Sequence, residues 1–218
     1  MTDMRVFQGV RYPGRSTADG NWRGLRGLRD GAAVTANYFD VLGMEGRIYI
    51  ASMGSVTTPL TFLASAANRP DAWIRVPSGT TILPIMVNVT LEAAAGTLNE
   101  IDVRICQNDI GNGTSSAATA GPIGARTDAV QTSNCTARQL ATTDTTAETN
   151  PISLLRRTYA RADEAGIEWR GLAATRAELS YPVLVGPATL EVFIAATTTQ
   201  ATGFVVMTWA ELPSTDLT

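Results

Sequence analysis

The feature that most constrains this fold is a strict alternation of apolar and polar side chains between residues 85 and 105. Apolar side chains occupy every second position in two runs, Ile85, Val87, Val89 and Leu91, then Ile101, Val103 and Ile105. Because successive side chains of a strand point to opposite faces, this period predicts two strands that each bury one face. The short break of small residues between them predicts a hairpin whose apolar faces join one core.

Further strands are predicted on both sides of this stretch. Residues 47–52, 60–64 and 73–76 precede it, and residues 181–185, 190–197 and 204–212 close the chain. The last two of these runs predict a second hairpin. Near-continuous apolarity from Phe204 to Met207 indicates either a central strand covered on both faces or a strand at a subunit contact.

One helix is predicted over residues 150–166. Asn150 can cap its start, Pro151 suits the first helical position, and Gly166 can end it. Residues 107–150 are small and polar, which predicts long surface loops with one strand near residues 137–142. About eight to ten short strands, long loops and one short helix together predict an all-β fold, an antiparallel β-sandwich most plausibly wound as a jelly roll.

The first 36 residues differ from the rest and are predicted to form an extended N-terminal arm, with residues 37–218 forming the sandwich domain. The arm is rich in glycine and arginine, and it lacks the periodicity of a core. Arginine pairs with carboxylates through two hydrogen bonds, and tryptophan anchors interfaces. The predicted partner-binding residues are Arg11, Arg15, Trp22, Arg23, Arg26 and Arg29. A disordered tail and a nucleic-acid contact are the alternatives, and the lack of a second basic patch disfavours nucleic acid.

Composition closes most catalytic routes. The chain has no histidine, and all 17 basic residues are arginine against 20 acidic ones, for a net charge of -3. A Ser/His/Asp triad, a histidine-ligated metal and a lysine Schiff base therefore cannot be built from it. Cys106 and Cys135 lack zinc-site spacing, and free thiols are favoured over a disulfide between them. No cofactor or metal site is predicted.

An all-carboxylate mechanism stays open in principle. Glu100 and Asp102 share one face of a predicted strand, and a solvated outer face is the preferred interpretation of that pair. The first residues lack the apolar run of a secretory signal, and no stretch approaches the roughly 20 apolar residues of a membrane span. The expectation is a protein made in the cytoplasm without a membrane partner.

Two segments resemble a known group of proteins. WIRVPSGTTILPIMVNVTLEAAAGTLNEIDVRI and VLVGPATLEVFIAATTTQATGFVVMTWAEL, about a third of the chain, resemble jelly-roll structural proteins of tailed-bacteriophage virions, including decoration (cement) proteins of the capsid. The resemblance implies a homo-oligomer, often a trimer, seated on a lattice of major capsid protein. It implies no enzyme activity and no cofactor, and it transfers no individual binding residue.

The leading hypothesis is therefore a non-enzymatic virion protein that stabilises a capsid shell through subunit contacts. Its partners would be other copies, the major capsid protein or another virion protein. Three alternatives remain at this point. The chain could be a tail, collar or fibre component, a carbohydrate-binding sandwich module, or a carboxylate-based hydrolase, the last being the least favoured.

Overall fold

Strands make up most of what the computed structural model describes. The described residues are 5–7, 22–24, 38–63, 68–93, 99–128, 131–159, 167–171, 182–196 and 200–213. In the first half of the chain the elements are β1 (Arg5–Phe7), β2 (Trp22–Gly24), α1 (Tyr38–Met44), β3 (Ile48–Met53), β4 (Leu60–Thr61), β5 (Ala72–Val76), β6 (Thr80–Ala93) and β7 (Asn99–Cys106). The second half contains β8 (Ser116–Ala117), β9 (Ala120–Gly124), β10 (Thr136–Gln139), β11 (Ile152–Tyr159), β12 (Ile167–Arg170), β13 (Leu184–Val185), β14 (Ala188–Ala196) and β15 (Thr202–Pro213).

The strands from β3 onward form two antiparallel sheets that face each other. Sheet I has the order β11-β7-β14-β5-β10-β8, and sheet II has the order β12-β6-β15-β3-β9, with β13 on β6 and β4 on β15. The predicted all-β sandwich is therefore confirmed. In the arm, β1 and β2 pair with each other as a separate two-stranded ladder. The division into an arm and a sandwich domain remains a prediction.

The core lies between the two sheets and follows the predicted alternation. Sheet I contributes alternate residues of β5, β7 and β14, and sheet II contributes alternate residues of β3, β6 and β15. Val205, Met207 and Trp209 of β15 are fully buried in this core. β15 lies between β6 and β3, so the run near residues 204–207 is a central strand, but its outward side chains are only half-buried and the predicted covering of both faces is not seen among the described residues.

The two predicted hairpins are wrong in their pairing. β6 and β7 follow each other in the chain but lie in different sheets, and the same holds for β14 and β15. β6 pairs instead with β15, and β7 with β14, so one pair is nested inside the other. An alternating pattern fixes which face of a strand is buried but not its partner, because partner choice depends on contacts distant in sequence. The nesting of pairs across two sheets agrees with the predicted jelly roll.

Ile85 lies on the opposite face from the one predicted. The register between β6 and β15 shifts where Pro84 faces Trp209 and Met86 faces Thr208, which leaves Ile85 as an extra residue. Such a bulge moves the preceding side chains to the other face of the sheet. Ile85 therefore joins a smaller cluster outside sheet II instead of the main core.

The predicted helix over residues 150–166 is also wrong, because residues 152–159 form strand β11 on the edge of sheet I. Its capping signals are local, whereas seven residues of β11 pair with β7. Tertiary pairing outweighs the few tenths of a kcal/mol per residue of helix propensity. Among the described residues the helix is α1, whose buried Leu42 packs on Ala210 and Leu212 outside sheet II.

Residues 107–150 are not simply surface loops. They supply β8, β9 and β10, and they bury Ile110 and Ala141 against Trp73 and Cys106 on the outer face of sheet I. The prediction of a solvated outer face around Glu100 and Asp102 is therefore wrong for Asp102, which is only 6% exposed. Small polar residues make this covering possible because they approach a sheet closely while donating many hydrogen bonds.

Asp71 connects three parts of the sandwich. Its Oδ1 accepts the Leu63 amide at 2.7 Å and its Oδ2 accepts the Ile194 amide at 2.8 Å. Its own carbonyl accepts the Leu140 amide at 2.8 Å. Burial raises the pKa of Asp71 to about 7, although the two amide hydrogen bonds favour the ionised form.

We expect the substitution Asp71→Ala to lower the free energy of unfolding by about 2–4 kcal/mol, since it leaves two buried amides without an acceptor. Asp144→Ala is the matched control, because that carboxylate pairs with Arg69 at an exposed site. The control should cost less than about 1 kcal/mol. Urea denaturation at pH 7 measures both, and equal losses would contradict the connecting role of Asp71.

Candidate interaction surfaces

The predicted partner-binding residues of the arm are only partly described. Trp22 and Arg23 lie in β2, opposite Phe7 and Val6 of β1. Arg11, Arg15, Arg26 and Arg29 lie outside the described residues. The role of these six residues in binding therefore stays a prediction.

The outer face of sheet II presents apolar side chains that are only partly buried. Since Val205, Met207 and Trp209 of β15 point into the core, Phe204, Val206 and Thr208 point outward, where they are half-buried by their neighbours. On β3, Ile50 also points outward and is 38% exposed. It lies directly opposite Ile123 of β9, which is 52% exposed.

The centre of this surface carries no charge. We define the open face as the outward side chains of four adjacent strands: Met86, Asn88 and Thr90 of β6, Phe204, Val206 and Thr208 of β15, Ile50 and Ser52 of β3, and Ile123 of β9. Charged side chains lie at its margins, where Arg170 of β12 donates to Glu168 and where the exposed Glu92 points outward near the end of β6. Helix α1 covers the neighbouring part of sheet II, and no described element packs on the open face itself.

The outer face of sheet I has the opposite character, because it is covered and holds charged groups. Arg104 of β7 donates to Asp102 at 2.9 Å and to both carboxylate oxygens of Glu148 at 3.0 Å. Its guanidinium stacks 4.0 Å above the ring of Phe193. Such stacking and bidentate pairing hold the arginine rigidly, so this cluster fixes the covering residues to the sheet.

A thiol and a carboxyl group meet under the same cover. The Cys106 thiol lies 2.9 Å from Oε1 of Glu191, and both side chains are buried. Burial, followed by the nearby Glu191, raises the pKa of Cys106 to about 12. The thiol is therefore protonated at neutral pH and is not an activated nucleophile. Cys135 is also buried, and burial raises its pKa as well.

Both cysteines are free, as the sequence favoured. Cys106 lies on the outer side of sheet I, whereas Cys135 belongs to the core between the sheets. The sheet that separates the two environments keeps the thiols apart, so the loop between them is held by packing and hydrogen bonds instead of a covalent link.

A polar cavity of about 320 Å³ lies beside the end of β15. Its most buried charged group is Glu211, which accepts hydrogen bonds from Trp209 Nε1 at 3.0 Å, from the Asn134 amide at 3.0 Å and from the Ser133 hydroxyl. Burial and the nearby Glu211 raise the pKa of Tyr49, which also lines the cavity. Because both oxygens of Glu211 accept hydrogen bonds, this carboxylate anchors residues 133–134 to the end of β15.

An apolar groove of about 460 Å³ opens at the side of the sandwich, between the β11 edge of sheet I and β13 on sheet II. Ile152, Val183 and Val185 line it, and each is about half exposed. These three side chains form a second, partly exposed apolar surface.

Among the described residues, no group of three or more cysteine, aspartate or glutamate side chains is arranged to hold a metal ion. No helix within the described ranges is long and apolar enough to cross a membrane.

One of these surfaces contains residues that the sequence singled out, and the other does not. A subunit contact was one of two interpretations of the apolar run from Phe204 to Met207; the open face contains Phe204 and Val206 of that run, and the contact itself stays a prediction. The cluster around Glu191 was missed, although a glutamate inside the apolar run LEVFIAAT is a usable signal. A charged residue in such a run either faces solvent or needs buried partners.

Comparison with known proteins adds one structural neighbour. No protein-family model matches the chain, and no curated protein matches it. A solved structure of the infectious bursal disease virus VP2 subviral particle aligns with 78% of this chain at 14% identity and a TM-score of 0.20. This chain spans 43% of the length of that protein. The likeness is too low to support a conclusion about function.

The burial of both thiols has a direct chemical consequence. We expect a thiol reagent such as DTNB to modify neither cysteine in the native protein at pH 7, and to modify both after unfolding in guanidinium chloride. Absorbance of the released thiolate counts the modified groups. Rapid modification of one thiol without denaturant would contradict the burial of Cys106 or Cys135.

Proposed function

We propose that this chain is a non-enzymatic structural protein of a virion, associated with the capsid as a decoration or cement protein. In this proposal the open face of sheet II joins copies of the chain, and the assembled sandwich binds the major capsid protein. The observation that carries the proposal is the open face itself: a flat, central, charge-free patch in a protein that covers the outer face of its other sheet.

The physical chemistry of the open face favours a protein partner. Interface cores are depleted of charged residues, and contiguous exposed apolar patches mark interaction sites. Each 40 Å² or so of apolar surface removed from water contributes about 1 kcal/mol. Phe204, Val206, Ile50 and Ile123 can be buried without removing any charge from water, so the usual penalty for burying ions does not arise.

A second copy of the chain is the proposed occupant. Around a symmetry axis, a charge-free face meets a neighbouring copy without bringing like charges together. The net charge of the arm also favours a second copy as its partner. The six arginines and three aspartates of residues 1–36 give +3, whereas the 11 arginines and 17 acidic residues of the remainder give -6. This contrast favours contact between the arm of one copy and the sandwich of its neighbour.

Such a protein works by mass action. Contacts that exist only in the assembled particle stabilise the assembly relative to its separated subunits. A rigid sandwich with short strands suits this task, because little conformational entropy is lost when it binds. We expect a homo-oligomer, with a trimer as the favoured state, that resides in the virion after synthesis in a host cytoplasm.

The open face gives a direct test of self-association. We expect Val206→Arg to raise the dissociation constant of the oligomer at least about a hundredfold, because it places a charge in a desolvated interface. Ala147→Arg adds the same charge to an exposed site on the other sheet and should leave the oligomer intact. Light scattering coupled to size-exclusion chromatography distinguishes the oligomer from the 23.1 kDa monomer.

Circular dichroism should show that Val206→Arg keeps the fold, since the side chain points away from the core. A wild-type protein that stays monomeric at hundreds of micromolar would contradict self-association through the open face. Equal dissociation by Ala147→Arg would show that added charge, and not its position, is responsible.

The arm is tested separately. We expect removal of the residues before Ala32 to abolish binding to virus particles while the sandwich remains folded, because the arm supplies the arginines and Trp22. Co-sedimentation with purified particles measures binding, and a variant with all six arm arginines changed to glutamine separates charge from length. Equal binding by the truncated protein would contradict the role of the arm. Mass spectrometry of the particles, with copy number, would distinguish a capsid from a tail location.

A further inference from the structure

The residues that cover sheet I are attached to it through a cluster of carboxyl groups around one guanidinium. We define the cover as residues 107–114 and 140–150. Within it, the Thr146 amide donates to the Ile110 carbonyl at 2.8 Å and the Thr149 amide donates to Asn108 Oδ1 at 2.7 Å. The ion pair between Glu148 of the cover and Arg104 of β7 crosses from the cover to the sheet.

Glu191 lies beneath this ion pair and is poorly satisfied for an ionised carboxylate. It is fully buried on β14, where it lies directly opposite Arg104 of the neighbouring strand β7. Oε1 is in contact with the Cys106 thiol, whereas Oε2 is buried without a hydrogen-bond partner among the described residues. The Arg104 guanidinium donates hydrogen bonds to Asp102 and to Glu148.

The groups that face Glu191 explain its ionisation. Burial is the largest influence and raises the pKa of Glu191 to about 8, the Cys106 contact and Arg104 act against this, and Glu148 adds to it. β7 presents Asp102, Arg104 and Cys106, and the cover presents Glu148. β5 places the uncharged Trp73 opposite Glu191.

Arg75 of β5 does not neutralise this site. It donates to Asp109 of the cover, with 2.6 Å between its Nε and Oδ1, and the same guanidinium donates to Asn112. Around Glu191 there is therefore one guanidinium for three carboxyl groups, so one of these groups must carry a proton for the charges to be nearly balanced.

We propose that Glu191 is the protonated member of this cluster and acts as a pH-sensitive latch, so that loss of its proton to solvent as the pH rises releases the cover from sheet I. Ionisation places a second negative charge beside Glu148 in a site without a further donor. The released cover would expose Trp73 and Cys106, which it shields when closed.

The direction of the pH dependence follows from linkage. In the closed state Glu191 holds its proton up to about pH 8, whereas in the open, solvated state its pKa lies near 4.5, the ordinary value for a glutamate. The open state therefore binds fewer protons between these two pH values. Closing is most favourable below about pH 4.5, and it weakens by about tenfold per pH unit until about pH 8, where the loss is complete.

Amide hydrogen exchange measured by NMR tests the latch on the full chain. We expect the protection factors of the Thr146 and Thr149 amides, corrected for intrinsic exchange, to fall roughly a hundredfold between pH 6 and pH 8. The amides of β15 report unfolding of the sandwich, including any effect of Asp71, and should fall less. An equal fall in β15 would show global unfolding and overturn the latch, as would pH-independent protection of the cover.

Matched variants assign the effect to one carboxyl group. Glu191→Gln should abolish most of the pH dependence of the cover amides, because the amide cannot ionise. Glu100→Gln lies on the same sheet face outside the cover, paired with Arg156, and should behave as the wild type. An unchanged pH dependence in Glu191→Gln would overturn the proposal. If that variant does not fold, a ¹³C titration of the wild-type carboxyl groups decides, since the proposal requires Glu191 to titrate near pH 8.

Discussion

The pairing of β6 with β15 is the contact on which the rest of this structure depends. Residues 80–93 and 202–213 run antiparallel along their full lengths, and they join parts of the chain more than a hundred residues apart. Once they pair, β7 and β14 follow in the opposite sheet and the core closes between them. The bulge at Ile85 then turns the end of β6 so that α1 has an apolar surface to cover.

The two outer faces of this sandwich solve the same physical problem in different ways. An antiparallel sheet that faces water on its outer side normally carries polar residues there. Sheet I instead carries Trp73 and Glu191 and hides them beneath its own residues 107–150. Sheet II carries Phe204, Val206 and Ile50 with no charge among them, and helix α1 covers only one end of it. Intramolecular packing completes one face, and in the proposed function an intermolecular contact completes the other.

Local patterns predicted the strands well and their partners poorly. Alternation identified residues 85–91 and 101–105 as strands because burial of one face is recorded at every second position. It placed neighbouring strands in hairpins, because nothing in that period distinguishes a partner nearby from one across the chain. The helix predicted at Asn150 failed for the related reason that capping signals are local, whereas β7 supplies seven pairing positions to β11. The open face was partly predictable from the run at Phe204, and Glu191 was not found because its burial depends on a cover that carries no apolar pattern.

The buried carboxyl groups show how a sheet with polar covering residues is held together. Asp71 accepts two backbone amides and Glu211 accepts three donors, so each ties a distant segment to a strand through bonds that an ionised oxygen makes well. Among the described residues Glu191 accepts a hydrogen bond from the Cys106 thiol, and its second oxygen is buried without a donor. Burial raises the pKa of both Asp71 and Glu191, yet Asp71 keeps two backbone donors when it ionises, whereas Glu191 has the thiol and the charge of Arg104 to set against its burial and the repulsion of Glu148. Attachment through backbone donors tolerates ionisation better than a cluster of carboxyl groups around one guanidinium does, which makes the cover the part of this sandwich most sensitive to a rise in pH.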